Sequence, residues 1–158
     1  MSINMNSKIK KLVYAIIGLS IIGFIDSLYL TISHFQEGSV LCSEFSDCNF
    51  VLTSEYATIL GIPVALLGAL FYGFILLIAS IYLDKKKSLY LKILIFTSPL
   101  GFLASAWFVY IQAFVIYSYC DYCLLSAAAS ALIFIASIVL YFQIKKSDDL
   151  EITEKVQN

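Results

Sequence analysis

Polar and apolar positions along this chain fall into long blocks rather than short periods. Apolar runs extend over Leu12–Phe35, Pro63–Leu83, Leu91–Tyr117 and Leu124–Ile144, parted by one sizeable polar loop, a lysine-rich turn and a short turn at Cys120. A hydrocarbon core ~30 Å thick takes about 20 apolar residues per helix, and each run is long enough. The pattern predicts an all-α integral membrane protein: a four-transmembrane-helix bundle with spans near 12–35, 63–83, 91–117 and 124–144. Residues 1–11 and 145–158 form polar ends outside it. The first run is too long for the apolar region of a signal peptide, no Ala-x-Ala site follows it, and Asp26 interrupts it, so it reads as a retained span. The third is longer than the bilayer core, and Pro99 followed by Gly101 is the expected kink.

The loop between the first two spans carries its own signal. From Asp47 a short helix is expected, with Asp47 as N-cap and Phe50, Val51 and Tyr56 on an apolar side. A helix so short is not stable alone in water, so it is expected to lie on the bundle as a lid. Pro63 suits the first turn of the second span, where its missing N–H is no loss. Gly61, Gly68 and Gly73 are small residues of the kind that permit close helix contact, the commoner reason, or leave room for a flat ligand.

Composition agrees with the blocks: 61% hydrophobic and 13% charged residues leave too little polar surface to coat a soluble globule. All ten basic residues are lysines, and with four spans every one falls on the side of the two termini and the second loop. The positive-inside rule makes that side cytoplasmic. Both termini are then cytoplasmic in a multi-pass cell-membrane protein, and the first loop and the turn at Cys120 face outward. Nothing in this charge pattern points to nucleic acid. Tyr117, Tyr119 and Tyr122 at one end, and Tyr14, Tyr82, Tyr90 and Tyr141 at the other, read as an aromatic belt.

Asp26 lies about 21 Å along the first helix from Leu12, at ~1.5 Å per residue. Exposing a carboxylate to lipid there costs ~2.5 kcal/mol or more, so it must face the bundle interior or a wet cavity. Two roles stand side by side: a structural hydrogen bond to Tyr29 or a serine, and a proton relay to a buried redox site. His34, at the outer end of the same span, is given no role.

The four cysteines, Cys42, Cys48, Cys120 and Cys123, all fall on the outward side, where disulfides are permitted. Three pairings are open. A bridge within Cys120-x-x-Cys123 would contribute only about 2 kcal/mol and one between the loops ~4 kcal/mol, so closely spaced pairs are poorly explained as staples. A zinc site is disfavoured, because Cys42-x5-Cys48 exceeds the usual ligand spacing and its surroundings are acidic; no metal is expected. Thiol–disulfide exchange explains close pairs, since an expelled thiolate can be recaptured. Cys120 and Cys123 also stand at a helix N-terminus, which favours thiolate. With no haem, flavin or metal motif, the expected electron acceptor is a lipid-soluble quinone in an apolar pocket near Cys123. The alternative is a non-enzymatic membrane scaffold whose outer disulfides brace its loops.

Taken together and in order, several segments resemble the vitamin K epoxide reductase family in its prokaryotic form. They are Asp26-Ser-Leu-Tyr-Leu-Thr31, Cys42-x5-Cys48 with Val51-Leu-Thr-Ser54-Glu-Tyr-Ala57, Gly61-Ile-Pro-Val-Ala65, and Tyr119-Cys-Asp-Tyr-Cys-Leu124. The DsbB type of disulfide generator carries its cysteine pairs in the reverse order. The resemblance implies a four-helix bundle around a quinone of menaquinone or ubiquinone type, covered by the first outer loop. It implies that Cys42 and Cys48 shuttle electrons from a partner dithiol, that Cys48 exchanges with Cys120, and that Cys123 meets the quinone ring. Ser54 matches the family's lid serine, expected to hydrogen-bond near this centre. Eukaryotic members carry a tyrosine where this chain has Ala127, which argues against vitamin K epoxide as substrate. Many prokaryotic members carry a fused thioredoxin-like domain; here a thioredoxin-fold carrier is expected to act in trans. The implied activity is oxidation of that extracytoplasmic carrier with transfer of two electrons to the quinone.

Overall fold

A computed structural model describes residues 7–36, 40 and 47–157, with side chains described as far as 145. Five α-helices dominate: α1 (Ser7–Phe35), α2 (Cys48–Thr53), α3 (Val64–Lys85), α4 (Ser88–Ile111) and α5 (Asp121–Gln157). Four stretches are long and apolar enough to cross a membrane: Ser7–Phe35, Val64–Lys85, Ser88–Ile116 and Asp121–Lys145. The expected four-span bundle is therefore present.

Packing closes the four long helices into a ring. α1 packs on α3 and α5, and α4 packs on α3 and α5. Small residues set the close approaches. A Cβ on Gly23 would come within 2.5 Å of the Tyr72 ring, and one on Gly68 within 3.0 Å of Ser27 Oγ, so α1 and α3 meet as closely as they do only because both positions lack one. Toward the α3–α4 turn the bundle is filled with apolar side chains, among them Ile9, Val13, Ile75, Leu91, Leu94 and Leu140, all fully or almost fully buried.

The short helix expected at Asp47 is α2. The Asp47 side chain accepts the Phe50 N–H at 3.1 Å, which satisfies one of the free donors of the first turn. Val51 turns inward, whereas Phe50 and Tyr56 are exposed. A 3-10 turn, Glu55–Ala57, leads to a two-stranded antiparallel hairpin of β1 (Thr58–Ile59) and β2 (Ile62–Pro63). Its two-residue turn, Leu60-Gly61, has φ of 53° and 79°, the positive values that a tight hairpin requires at both central positions. Gly61 therefore serves this turn, and a Cβ there would meet nothing within 4 Å.

α4 continues through Pro99. It leads into a π-helical segment, Gln112–Ile116, closed by Tyr117 in the left-handed conformation with φ 55°. The last helix runs on past the expected end of the span at Ile144, as far as Gln157.

Candidate active site

At the hairpin end of the bundle the packing is different. Cys48 and Cys120 are buried in one apolar cluster with Leu30, Val40 and Val51, and Cys123 packs against it. Two contacts hold the lid helix there. The Asp47 N–H donates to the Tyr119 carbonyl at 3.0 Å, joining the start of α2 to the turn before Cys120. The Val40 N–H donates to Asn49 Oδ1 at 3.0 Å. Three of the four sequence-predicted cysteines are thus brought together; Cys42, with Glu37 and Glu44, lies outside the described residues. Cys48 is disulfide-bonded, while Cys120 and Cys123 are free thiols.

Cys120 stands at the N-cap position of α5. Its Sγ accepts the Cys123 N–H at 3.3 Å, and its carbonyl accepts the Leu124 N–H at 2.9 Å. Hydrogen bonding from the Cys123 side chain, aided by the backbone N–H groups of Cys123 and Tyr122, holds the Cys120 thiol below its ordinary value against the opposing effect of burial. The Cys120 N–H is itself held, at 2.9 Å, by Gln112 Oε1.

Cys123, Ser54 and Gln112 border a cavity of about 320 Å³ walled mainly by apolar side chains of the four long helices and the lid. That volume is at the lower end of the range for small-molecule sites. Gly68, Phe71, Gly101 and Ala127 are among the residues that line it, and Cys123 supplies a sulfur at its wall. The residues present fit a quinone. Ala127 adds no hydroxyl where a tyrosine would. Ser54 borders the cavity, but its hydroxyl donates to the Val51 carbonyl at 2.7 Å and so closes the end of α2. His34 also borders the cavity.

Asp26 is 6% exposed, and neither carboxylate oxygen has a hydrogen-bond partner. The expected bond to Tyr29 or a serine is not formed; Tyr29 packs its ring against Tyr122, centroids 5.3 Å apart. The Asp26 carboxylate does not line the cavity, although the adjacent Ser27 does.

Sequence reasoning passed over Gln112 and Tyr72. Gln112 is 3% exposed, and the signal for it was a lone amide in an otherwise apolar run. The Tyr72 hydroxyl donates to the Ser126 carbonyl at 2.5 Å and accepts from Ser126 Oγ at 3.2 Å, joining α3 to α5 one turn beyond Cys123. Tyr72 looked like any other aromatic of an apolar span.

The helices thus place a cysteine pair at a helix start, a third cysteine beside it under a lid, and a cavity at the pair, an arrangement in which thiols and disulfides can exchange. The profile of the vitamin K epoxide reductase family matches residues 14–138, from the first span well into the fourth. The chain belongs to that family. A comparison with curated proteins gave no match.

Proposed function

We propose that this protein reoxidises a thioredoxin-fold disulfide carrier on the extracytoplasmic side of the cell membrane and delivers the two electrons to a membrane quinone of menaquinone or ubiquinone type. The observation that carries this reading is the continuity from Cys48 to Cys120 and Cys123 and on to the cavity that Cys123 borders. Lysines at the opposite end of the spans support an outward orientation for the cysteines, and both termini are then cytoplasmic.

A carrier dithiol reduces the Cys42–Cys48 disulfide, the carrier leaving oxidised and the shuttle pair becoming a dithiol. Attack on the Cys120–Cys123 disulfide then regenerates the shuttle disulfide and leaves Cys120 and Cys123 reduced. Cys120 and Cys123 would then give up two electrons and two protons to a quinone held in the cavity, which would supply the electron acceptor. The Cys120 thiolate, favoured by its cap position, is the sulfur that closes the bond onto Cys123 Sγ as the pair loses its electrons. Ser54 ends the lid helix through its bond to the Val51 carbonyl and borders the cavity. Asp26 is the proton-handling group: burying a carboxyl without a partner inside a membrane bundle is costly, and an ionisable residue kept there is a candidate for moving protons.

The test is anaerobic stopped-flow absorbance of the purified protein with a reduced thioredoxin-fold carrier and a short-chain quinone. Quinone reduction that requires both Cys120 and Cys123 is expected. Absence of turnover from a folded protein with four stable cysteines would leave a membrane scaffold with bracing disulfides.

A further inference from the structure

Gln112 sits between the redox turn and the cavity, and its two ends face different tasks. It opens the π-helical segment at the end of α4, a widened turn of a kind found often at functional sites. Its backbone carbonyl accepts the Ser118 N–H at 3.2 Å as well as that of Tyr117, while its side-chain oxygen accepts from Cys120. One residue therefore fixes the approach to the cysteine pair through both main chain and side chain.

The orientation of the amide follows from chemistry. The Cys120 N–H can be met only by an acceptor, so Oε1 points at Cys120 and Nε2 points away with two N–H donors. Among the described residues, neither donor has a protein partner. Nor is Nε2 sealed in the interior like the unpartnered oxygens of Ser20, Asp26 and Ser137, because Gln112 borders the cavity. Buried amide donors are seldom left unmet. Meanwhile the hydroxyls of Ser54, Tyr72 and Ser126, all on the cavity wall, spend their donors on Val51 O, Ser126 O and Tyr72 Oη.

We propose that Gln112 Nε2 donates a hydrogen bond to a ring oxygen of the quinone while Oε1 of the same amide holds the Cys120 backbone, so that one side chain sets the ring in register with the cysteine pair. This rests on the quinone reading above. It narrows the ligand to rings that carry a carbonyl oxygen on the side facing the cysteine turn, and it places the donor on α4, where Ala127 on α5 offers none.

The experiment is infrared difference spectroscopy of the full chain in detergent with a short-chain quinone carrying ¹³C at its ring carbonyls, together with equilibrium binding of the same quinone. In the unsubstituted protein one carbonyl band is expected below its frequency in free quinone. Gln112→Met should return that band to the free position and weaken binding about five- to tenfold, the scale of one lost neutral hydrogen bond. The quinone KM should rise by the same factor. If Gln112→Met does not fold, Gln112→Glu, which keeps an oxygen for the Cys120 N–H, replaces it, read at alkaline pH where the carboxyl is ionised. Either an unshifted band in the unsubstituted protein or a shift that persists in the folded variant overturns the proposal. An unsubstituted protein that neither binds nor reduces quinone overturns the functional reading itself.

Discussion

The two ends of this bundle are built from the same helices and to different standards. Toward the α3–α4 turn, Ile9, Val13, Ile75, Leu91, Leu94 and Leu140 fill the interior with apolar side chains. Toward the hairpin, the helices leave a cavity, and the buried residues include Asp26, Ser27, Thr31 and Gln112. The packed end asks mainly for volume and apolarity, which many sequences supply, and tolerates one buried hydroxyl, that of Ser137, without a partner. The open end keeps polar groups in a low-dielectric interior at a cost, and what it gains is a set of positions for sulfur, protons and a ligand.

The sharpest break of this contrast is at the cysteines. Cys120→Ser or Cys123→Ser should abolish quinone reduction in the stopped-flow assay. Loss of Cys42 or Cys48 should block turnover with a protein carrier far more than with a small dithiol able to reach Cys120; equal loss with both reductants would contradict the shuttle. Asp26→Asn should slow turnover by roughly a hundredfold, within the range of a lost proton-transfer group, with assembly and melting intact. Unchanged turnover would leave Asp26 without that role. Leu94→Ala at the packed end should do the reverse, costing about 2–5 kcal/mol in unfolding measurements while turnover per folded molecule holds.

Smaller effects sharpen the comparison. Because its hydrogen bonds hold the Cys120 thiol below its ordinary value, the thiolate should appear at lower pH than in a free cysteine as pH rises. Thiolate absorbance of the reduced protein should show this inflection, and Cys123→Ala should move it upward, since the leading hydrogen bond is gone. Asp47→Ala should remove the α2 cap and cost about 1 kcal/mol, seen as faster proteolysis of the lid loop with the bundle intact.

What the sequence disclosed follows the same division. The spans were legible because bilayer thickness leaves few choices of length, and α2 because Asp47 announces its start. The hairpin was not, since Leu60-Gly61 lacks the Asn or Asp that usually marks such a turn, and Leu60 takes its positive φ without a local reason in its side chain. The extension of α5 to Gln157 carries no apolar periodicity, only good helix formers such as Glu151, Glu154 and Lys155, and propensity by itself is a weak signal. The cysteines were conspicuous by spacing. Gln112 and Tyr72 act through partners eight and 54 residues away, Cys120 and Ser126, and no pattern along the chain connects them.

The π-helical segment also bears on how this chain can change length. Such a segment amounts to one residue inserted into an α-helix, and one residue turns everything beyond it by ~100°. A single deletion within Gln112–Ile116 would restore regular helix and swing the Gln112 carbonyl away from Tyr117 and Ser118. Drift by insertion and deletion is therefore closed between α4 and Cys120. In the polar reach of α5 beyond Lys145, one residue more or less alters no span.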